Sequence, residues 1–347
     1  MQRILSYPEA IKEAIDQEMT RDPSVILLGQ GVNDPKGILG TTKGLADKFG
    51  AERVFDTPLA EDGMTGVAIG AALAGLRPIH MHIRMDFVLL AMNQIINMAA
   101  KMRYMFGGEV FIPMVVRSII GKSWGQGAQH SQSIYPLFMN IPGLKIFAPS
   151  TPYDAKGCLI QGIRDDNPVL FIEHRLLYYQ RGYVPTESYT VPFGKARILA
   201  GGEDITLVGI SQMAIECLRA RQYLKEIHID AEVIDPVSLS PLDIDTIYDS
   251  VLKTRRLIVT DNAWITCGAG AEIIARLIER NIPRDVVIKR MGFASVPCPT
   301  TPSLEQHFYP DAKTIALNAY HMLFSDKRIW LPITELQIEE VEFKGPF

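Results

Sequence analysis

Residues 55–83 read FDTPLAEDGMTGVAIGAALAGLRPIHMHI, and this stretch decides the fold. An apolar, β-branched segment ends at Phe55, Pro58 turns the chain, and a run of Gly, Ala, Val, Ile and Leu predicts a helix over 61–76. Residues 78–83 then read as a strand. Strand, helix and strand in about thirty residues make one βαβ unit, with parallel strands and the helix laid over one face. Gly63, Gly66 and Gly70 let something approach that helix closely, either another chain or a flat ring.

The same alternation extends in both directions. Upstream, Ser6-Tyr7-Pro8-Glu9 is a capping-box pattern that starts a helix running to about residue 19. Strands are expected at 25–28 and 53–55, with a short helix over 41–49. Downstream, a long helix is expected over 87–105, strands at 111–116, 145–147 and 169–172, and helices near 134–139 and 153–163. Continuous Val/Ile/Leu strands between helices predict a parallel sheet covered on both faces. Gly182, Pro185, Pro192 and Gly194 then interrupt the rhythm among polar residues and tyrosines, as a linker does. Strands resume at 205–210, 232–234, 256–259 and 286–289, with helices at 213–225, 244–251, 268–279 and 312–324. The expectation is an α/β chain of two doubly wound domains: 1–180, a linker over 181–197, and a smaller second domain over 198–347.

The 347 residues suit two domains of ordinary size, each able to bury its own core. Lys+Arg is 35 against Asp+Glu 39, a net charge of -4, so no basic field exists to attract nucleic acid or an anionic membrane. The longest apolar stretch, 65–76, is too short and too rich in Gly and Ala to span a bilayer. The N-terminus enters a helix with no apolar signal core. Cys158, Cys217, Cys267 and Cys298 form no CxxC pair, which argues against a disulfide framework or zinc module and fits a cytoplasmic protein.

Three motifs mislead. Gly121-Lys122-Ser123 resembles the end of a phosphate-binding P-loop, but Val116 stands where that loop needs its first glycine. Gly268-Ala269-Gly270 imitates a dinucleotide fingerprint, but Ile273 is too bulky for the third glycine position. His80 and His82 share one face of a strand at a spacing that can serve a metal, yet no third ligand is near in sequence. Two histidines so placed more often pack or hydrogen-bond. Glu61, at the mouth of an apolar helix, has two readings. It complements the helix dipole, or it is a carboxyl desolvated enough to serve as a proton partner.

At these residues the chain resembles a known family: the beta subunits of the thiamine-diphosphate-dependent first component of the 2-oxo acid dehydrogenase complexes (pyruvate, acetoin and branched-chain types), which are transketolase-like. The resemblance is carried by DTPLAEDGMTGVAIGAALAGLRPI (56–79), FVLLAMNQIINMAAKMRYMFGG (87–108) and GQGAQHSQSIYPLFMNIPGLKIFAPSTPYDAKG (125–157). RDDNPVLFIEHRLLYY (164–179) and PSLEQHFYPDAKTI (302–315) add to it, in register over nearly the whole chain. It implies a pyrimidine-binding domain followed by a mostly parallel transketolase C-terminal-type domain. Glu61 falls on the glutamate that hydrogen-bonds the cofactor's aminopyrimidine, where its proton favours the imino tautomer that deprotonates the thiazolium carbon. Phe87 falls on the aromatic residue packed against the pyrimidine, with Leu59 and Ile83 as further cofactor contacts. His130, within Ala128-Gln129-His130-Ser131-Gln132, falls on the active-site histidine. Gly162, Ile163, Asp165 and Asn167 match a segment that holds structural potassium in relatives. Read by itself, that segment is equally a helix C-terminus with an Asp-Asn turn before Pro168.

The magnesium-diphosphate motif GDG is missing from the chain. The resemblance therefore implies an alpha subunit that carries most of the magnesium site, in an assembly of two alpha and two beta. Met92, Met98, Met102 and Met105 are candidate subunit contacts or plain core. The expected activity is decarboxylation of a 2-oxo acid with acyl transfer to a lipoyl carrier on an acyltransferase. The alternatives are one half of a split transketolase-like or acyloin-forming carboligase without a lipoyl partner, or a noncatalytic partner subunit. The resemblance has departures: relatives usually carry an acidic residue where Met81 stands, a small hydroxyl residue near Arg84 and a glutamine at Leu90. Arg84, with His82 beside it on the strand, is a substrate candidate; it pairs with Asp86 or receives an anionic group. The tail beyond Tyr320 also runs past the family's usual end, which puts docking of the acyltransferase there in doubt.

Overall fold

The computed structural model describes residues 3–121, 125–324 and 330–332. Lys122 and Ser123 of the P-loop lookalike, and most of the tail beyond Phe324, lie outside them. Fourteen strands occur among the described residues, in chain order β1 Ile4–Ser6, β2 Val25–Gly29, β3 Val54–Asp56, β4 Arg77–His82, β5 Val115–Ile120, β6 Lys145–Phe147, β7 Val169–His174, β8 Arg181–Tyr183, β9 Arg197–Ala200, β10 Ile205–Gly209, β11 Ala231–Asp235, β12 Ser238–Ser240, β13 Arg256–Trp264 and β14 Val287–Phe293.

The chain divides into two units. The first comprises 1–121, 137–193 and 239–241, the second 122–136, 194–238 and 242–347. Its main sheet has seven strands in the order β12-β6-β7-β5-β4-β2-β3, with the pairs from β3 through β5 to β6 parallel. β2 and β5 are buried along their whole length, as strands with both faces covered must be. The second unit has a five-stranded sheet, β14-β13-β10-β11-β9, parallel except for the antiparallel edge strand β9. Both are doubly wound α/β sheets, as expected. Among the described residues no helix is long and apolar enough to cross a membrane.

The capping box forms as read: Ser6 accepts from the Glu9 amide and Glu9 reaches back to the Ser6 amide, starting the helix Tyr7–Arg21. Several local expectations change; the helix expected over 41–49, for one, spans only Leu45–Phe49. The single helix over 87–105 is instead a 3-10 segment, Met85–Ala91, a π segment, Asn93–Ala99, and a short α-helix, Ala100–Met105. Met85, Val88 and Ala91 are buried at a spacing of three, which a 3-10 turn serves and a 3.6-residue turn does not. The strand expected at 111–116 begins later, at Val115, because Pro113 has no amide to give to the ladder. Beyond Tyr179 the chain first adds β8 antiparallel to β1. The buried Lys156 then gathers the Pro185 and Glu187 carbonyls at 2.7 and 2.9 Å while pairing with Glu13, holding this stretch on the first unit.

Candidate active site

In the first unit, β2 lies between β3 and β4, so successive crossovers leave it in opposite directions. A doubly wound sheet opens a ligand crevice at such a point, outside the carboxyl ends of the two strands. Gly29 closes β2 with φ +142°, and a Cβ there would stand 2.3 Å from the Met81 carbonyl oxygen. Only glycine lets the two strand ends approach this closely. Gly31, at φ +69°, brings the backbone to the Ile83 side chain. On the other side of β2, the Thr57 amide after β3 donates to the Gly29 carbonyl at 3.1 Å, fixing the turn that leads through Pro58 to the helix Glu61–Leu73.

Glu61 opens that helix, half-buried, and its Oε1 accepts a 3.0 Å hydrogen bond from Gln30 Nε2. The carboxyl is thus held by one partner at the crevice rather than left to the helix dipole alone. Gln30 was not singled out from sequence. Its only signal is its place directly after an apolar strand, between Gly29 and Gly31. Ile83 and Arg84 leave the end of β4 half-buried, and Phe87 follows half-buried in the 3-10 segment. Burial lowers the Arg84 guanidinium pKa, and the neighbouring Asp86 opposes that. Leu59 stands apart, 82% exposed on the turn. The outer face of the Glu61–Leu73 helix also exposes Val67 and Leu73, beside Gly66 and Gly70, which have open space around them.

His80 and His82 are both buried on β4, their rings edge to face at 4.4 Å. His82 Nε2 meets Thr65 Oγ1 at 3.3 Å, tying strand to helix. Burial pulls the His80 imidazole down to about 4, against the Leu28 backbone and the Glu61 charge. His82 is held well below its ordinary value by burial and then by His80. The unfolded chain therefore binds a proton at His80 between pH 6.5 and about 4 that the folded chain refuses. Stability is full above that window and falls as pH drops through it. His80 alone should account for about 3 kcal/mol of that loss. Urea midpoints of the wild type should fall more steeply between about pH 7.5 and about pH 5 than those of His80→Leu. Equal slopes would contradict this.

His130 belongs to the second unit, not to the unit that carries Glu61. It is half-buried between the exposed Ala128 and Gln129 and the buried Ser131. Gly125 and Gly127, at φ +66° and +69°, pack against Thr300, and a Cβ on either would fall within 2.6 Å of it.

In the 162–167 segment, Arg77 Nη1 donates to the carbonyls of Ile163 and Asp165, each at 3.1 Å. The Asp165 carboxylate pairs with Lys145 and accepts from Asn167, whose Oδ1 accepts from Arg103 at 2.9 Å. The Gly162 carbonyl accepts the Asp165 amide. The oxygens a potassium ion would use already meet protein donors, three of them cationic. The residues present fit a turn tied down by the cationic side chains of Arg77, Lys145 and Arg103, not an ion cage.

Comparison with known proteins accords with this geometry. The transketolase pyrimidine-binding domain matches residues 4–180 and the transketolase C-terminal domain residues 194–315. The chain is 46% identical over 330 residues to the acetoin:2,6-dichlorophenolindophenol oxidoreductase subunit beta of Cupriavidus necator, covering 92% of this chain and 97% of that protein. It is 44% identical over 299 residues to the pyruvate dehydrogenase E1 component subunit beta of Porphyra purpurea, covering 86% and 90%. A solved structure described as a split gene transketolase, inactive beta4 tetramer, superposes with a TM-score of 0.75 at 21% identity, covering 93% of this chain and all of that one, a likeness of fold.

Proposed function

Because this chain belongs to the family of beta subunits of the thiamine-diphosphate-dependent first components of 2-oxo acid dehydrogenases, we propose that it supplies the aminopyrimidine wall of an active site completed by an alpha subunit. The observation that carries this reading is the Gln30–Glu61 hydrogen bond at the crevice between β2 and β4. The crevice fits a flat aminopyrimidine: close-approach glycines line one side, a carboxyl stands at a helix mouth, and Phe87 is half-buried nearby.

When bound, thiamine diphosphate supplies an acidic carbon and an electron sink for decarboxylation of a 2-oxo acid. Glu61 would hold or give a proton at the bound aminopyrimidine, its carboxyl oriented by Gln30. Phe87 and Ile83, both half-buried, would offer apolar contact to the ring, whereas Leu59 is exposed on the turn. Arg84, half-buried after β4, would receive the carboxylate of the substrate, with His82 two residues before it on the strand. His130 moves a proton or steadies charge as the acyl group passes to a lipoyl carrier.

The chain has no GDG, so magnesium falls to the alpha subunit, in an assembly of two alpha and two beta in the cytoplasm. Leu59, Val67, Leu73, Leu90, Met98 and Met105 are 42–82% exposed on the first unit, an apolar surface suited to subunit contact. The test combines the chain with a GDG-bearing alpha subunit, a candidate 2-oxo acid and an artificial electron acceptor. The acceptor should be reduced only when both subunits and the 2-oxo acid are present. Carbon–carbon bond formation from aldehydes without reduction of the acceptor would overturn the proposal.

A further inference from the structure

We infer that the hydrogen bond from Tyr135 to Asp261 latches the loop that carries His130, which makes Tyr135 a positioning residue for that histidine. The inference rests on the reading of His130 as an active-site residue.

The loop is pinned on both sides of His130. Before it, Gly125 and Gly127 press against Thr300 with no room for a side chain. After it, Ser131, Ser133, Ile134 and Tyr135 are all buried. Between the pins only Ala128 and Gln129 are exposed. At the end of the second pin the Tyr135 hydroxyl donates to Asp261 Oδ1, with both residues buried. Asp261 lies at the carboxyl end of β13, where the register to β14 shifts between Thr260 and Trp264. Such an irregularity re-aims a strand side chain.

The place is also informative. In the second sheet β10 lies between β11 and β13, so the switch-point crevice opens at the ends of β10 and β13. There Asp261 meets a residue of this chain's own loop. Burial pushes its carboxyl up to about 6, although the Tyr135 hydroxyl and the Ala269, Asn262 and Gly270 amides draw it down. Removing the hydroxyl would leave a buried carboxylate short of a donor and the loop free at that end, five residues from His130.

The test uses the enzyme assembled with its alpha subunit. Tyr135→Phe should lower kcat about tenfold, with KM for the 2-oxo acid changed by less than about twofold. It should also raise amide exchange over 125–134 and broaden the His130 imidazole NMR signal. Asp261→Asn keeps an oxygen for the Tyr135 hydroxyl and should lose less activity than Tyr135→Phe. Wild-type kcat and wild-type exchange in Tyr135→Phe would overturn the inference, as would a parallel change in kcat and KM. Full turnover of His130→Gln would instead sink the site reading, while the exchange and imidazole signals would still decide whether the latch exists.

Discussion

Glu61→Gln is expected to lower turnover of the assembled enzyme by about 10²- to 10⁴-fold, the range lost with a positioned acid or base. The substitution keeps the side chain's length, and its amide oxygen can still accept from Gln30, as Oε1 does now at 3.0 Å. What it removes is the ability to hold or release a proton at the crevice. Cofactor affinity, measured by calorimetry on the same preparation, should change far less than kcat. A variant with wild-type kcat and bound cofactor would show that the carboxyl only complements the helix dipole. A variant that fails to bind cofactor at all would show that Glu61 acts in binding rather than in proton transfer.

Glu173→Gln should cost about 3–5 kcal/mol of stability, the largest structural effect expected in the first unit. Arg117 on β5 and Glu173 on β7 are both fully buried, with Nε to Oε1 at 2.7 Å and Nη2 to Oε2 at 2.9 Å. Tyr178 donates to the same Oε2 at 2.8 Å. Neutralising the carboxyl leaves a guanidinium in the sheet interior with no opposite charge, and burial gives it no water to fall back on. Urea unfolding followed by far-UV circular dichroism should show the midpoint displaced to lower denaturant. Replacing both partners with apolar residues, Arg117→Met with Glu173→Leu, should cost less than Glu173→Gln alone. A double variant less stable than the single one would mean the pair contributes more than its desolvation costs.

The sheet frameworks were legible because their signals are local. The run through Pro58 into Gly63-Met64-Thr65-Gly66 marks strand, turn and helix within one reading window, and the capping box at Ser6 states where the first helix begins. The 85–105 segment was misread because its buried positions are three apart at first and four apart later, a pattern that no single helical period describes. The candidate site divides the same way. Glu61 and Ile83 stand on the motif-bearing stretch and border the turn through Gln30 and Gly31, and Phe87 follows in the 3-10 segment. Gln30 reaches Glu61 across 31 residues, announced only by its place between Gly29 and Gly31 at the end of an apolar strand. Tyr135 and Asp261 are 126 residues apart, and their hydrogen bond depends on a strand irregularity that no local pattern encodes.

The most direct test of the central claim is the rate at which the thiazolium carbon of bound thiamine diphosphate exchanges its proton for deuterium. It is to be followed by NMR in the assembled enzyme, for the wild type and for Glu61→Gln. If Glu61 governs the proton on the aminopyrimidine, exchange should be fast in the wild type and slower by about two orders of magnitude or more in the variant, with the cofactor still bound. Equal exchange rates in the two would contradict the assignment of Glu61, and with it the role proposed for this chain.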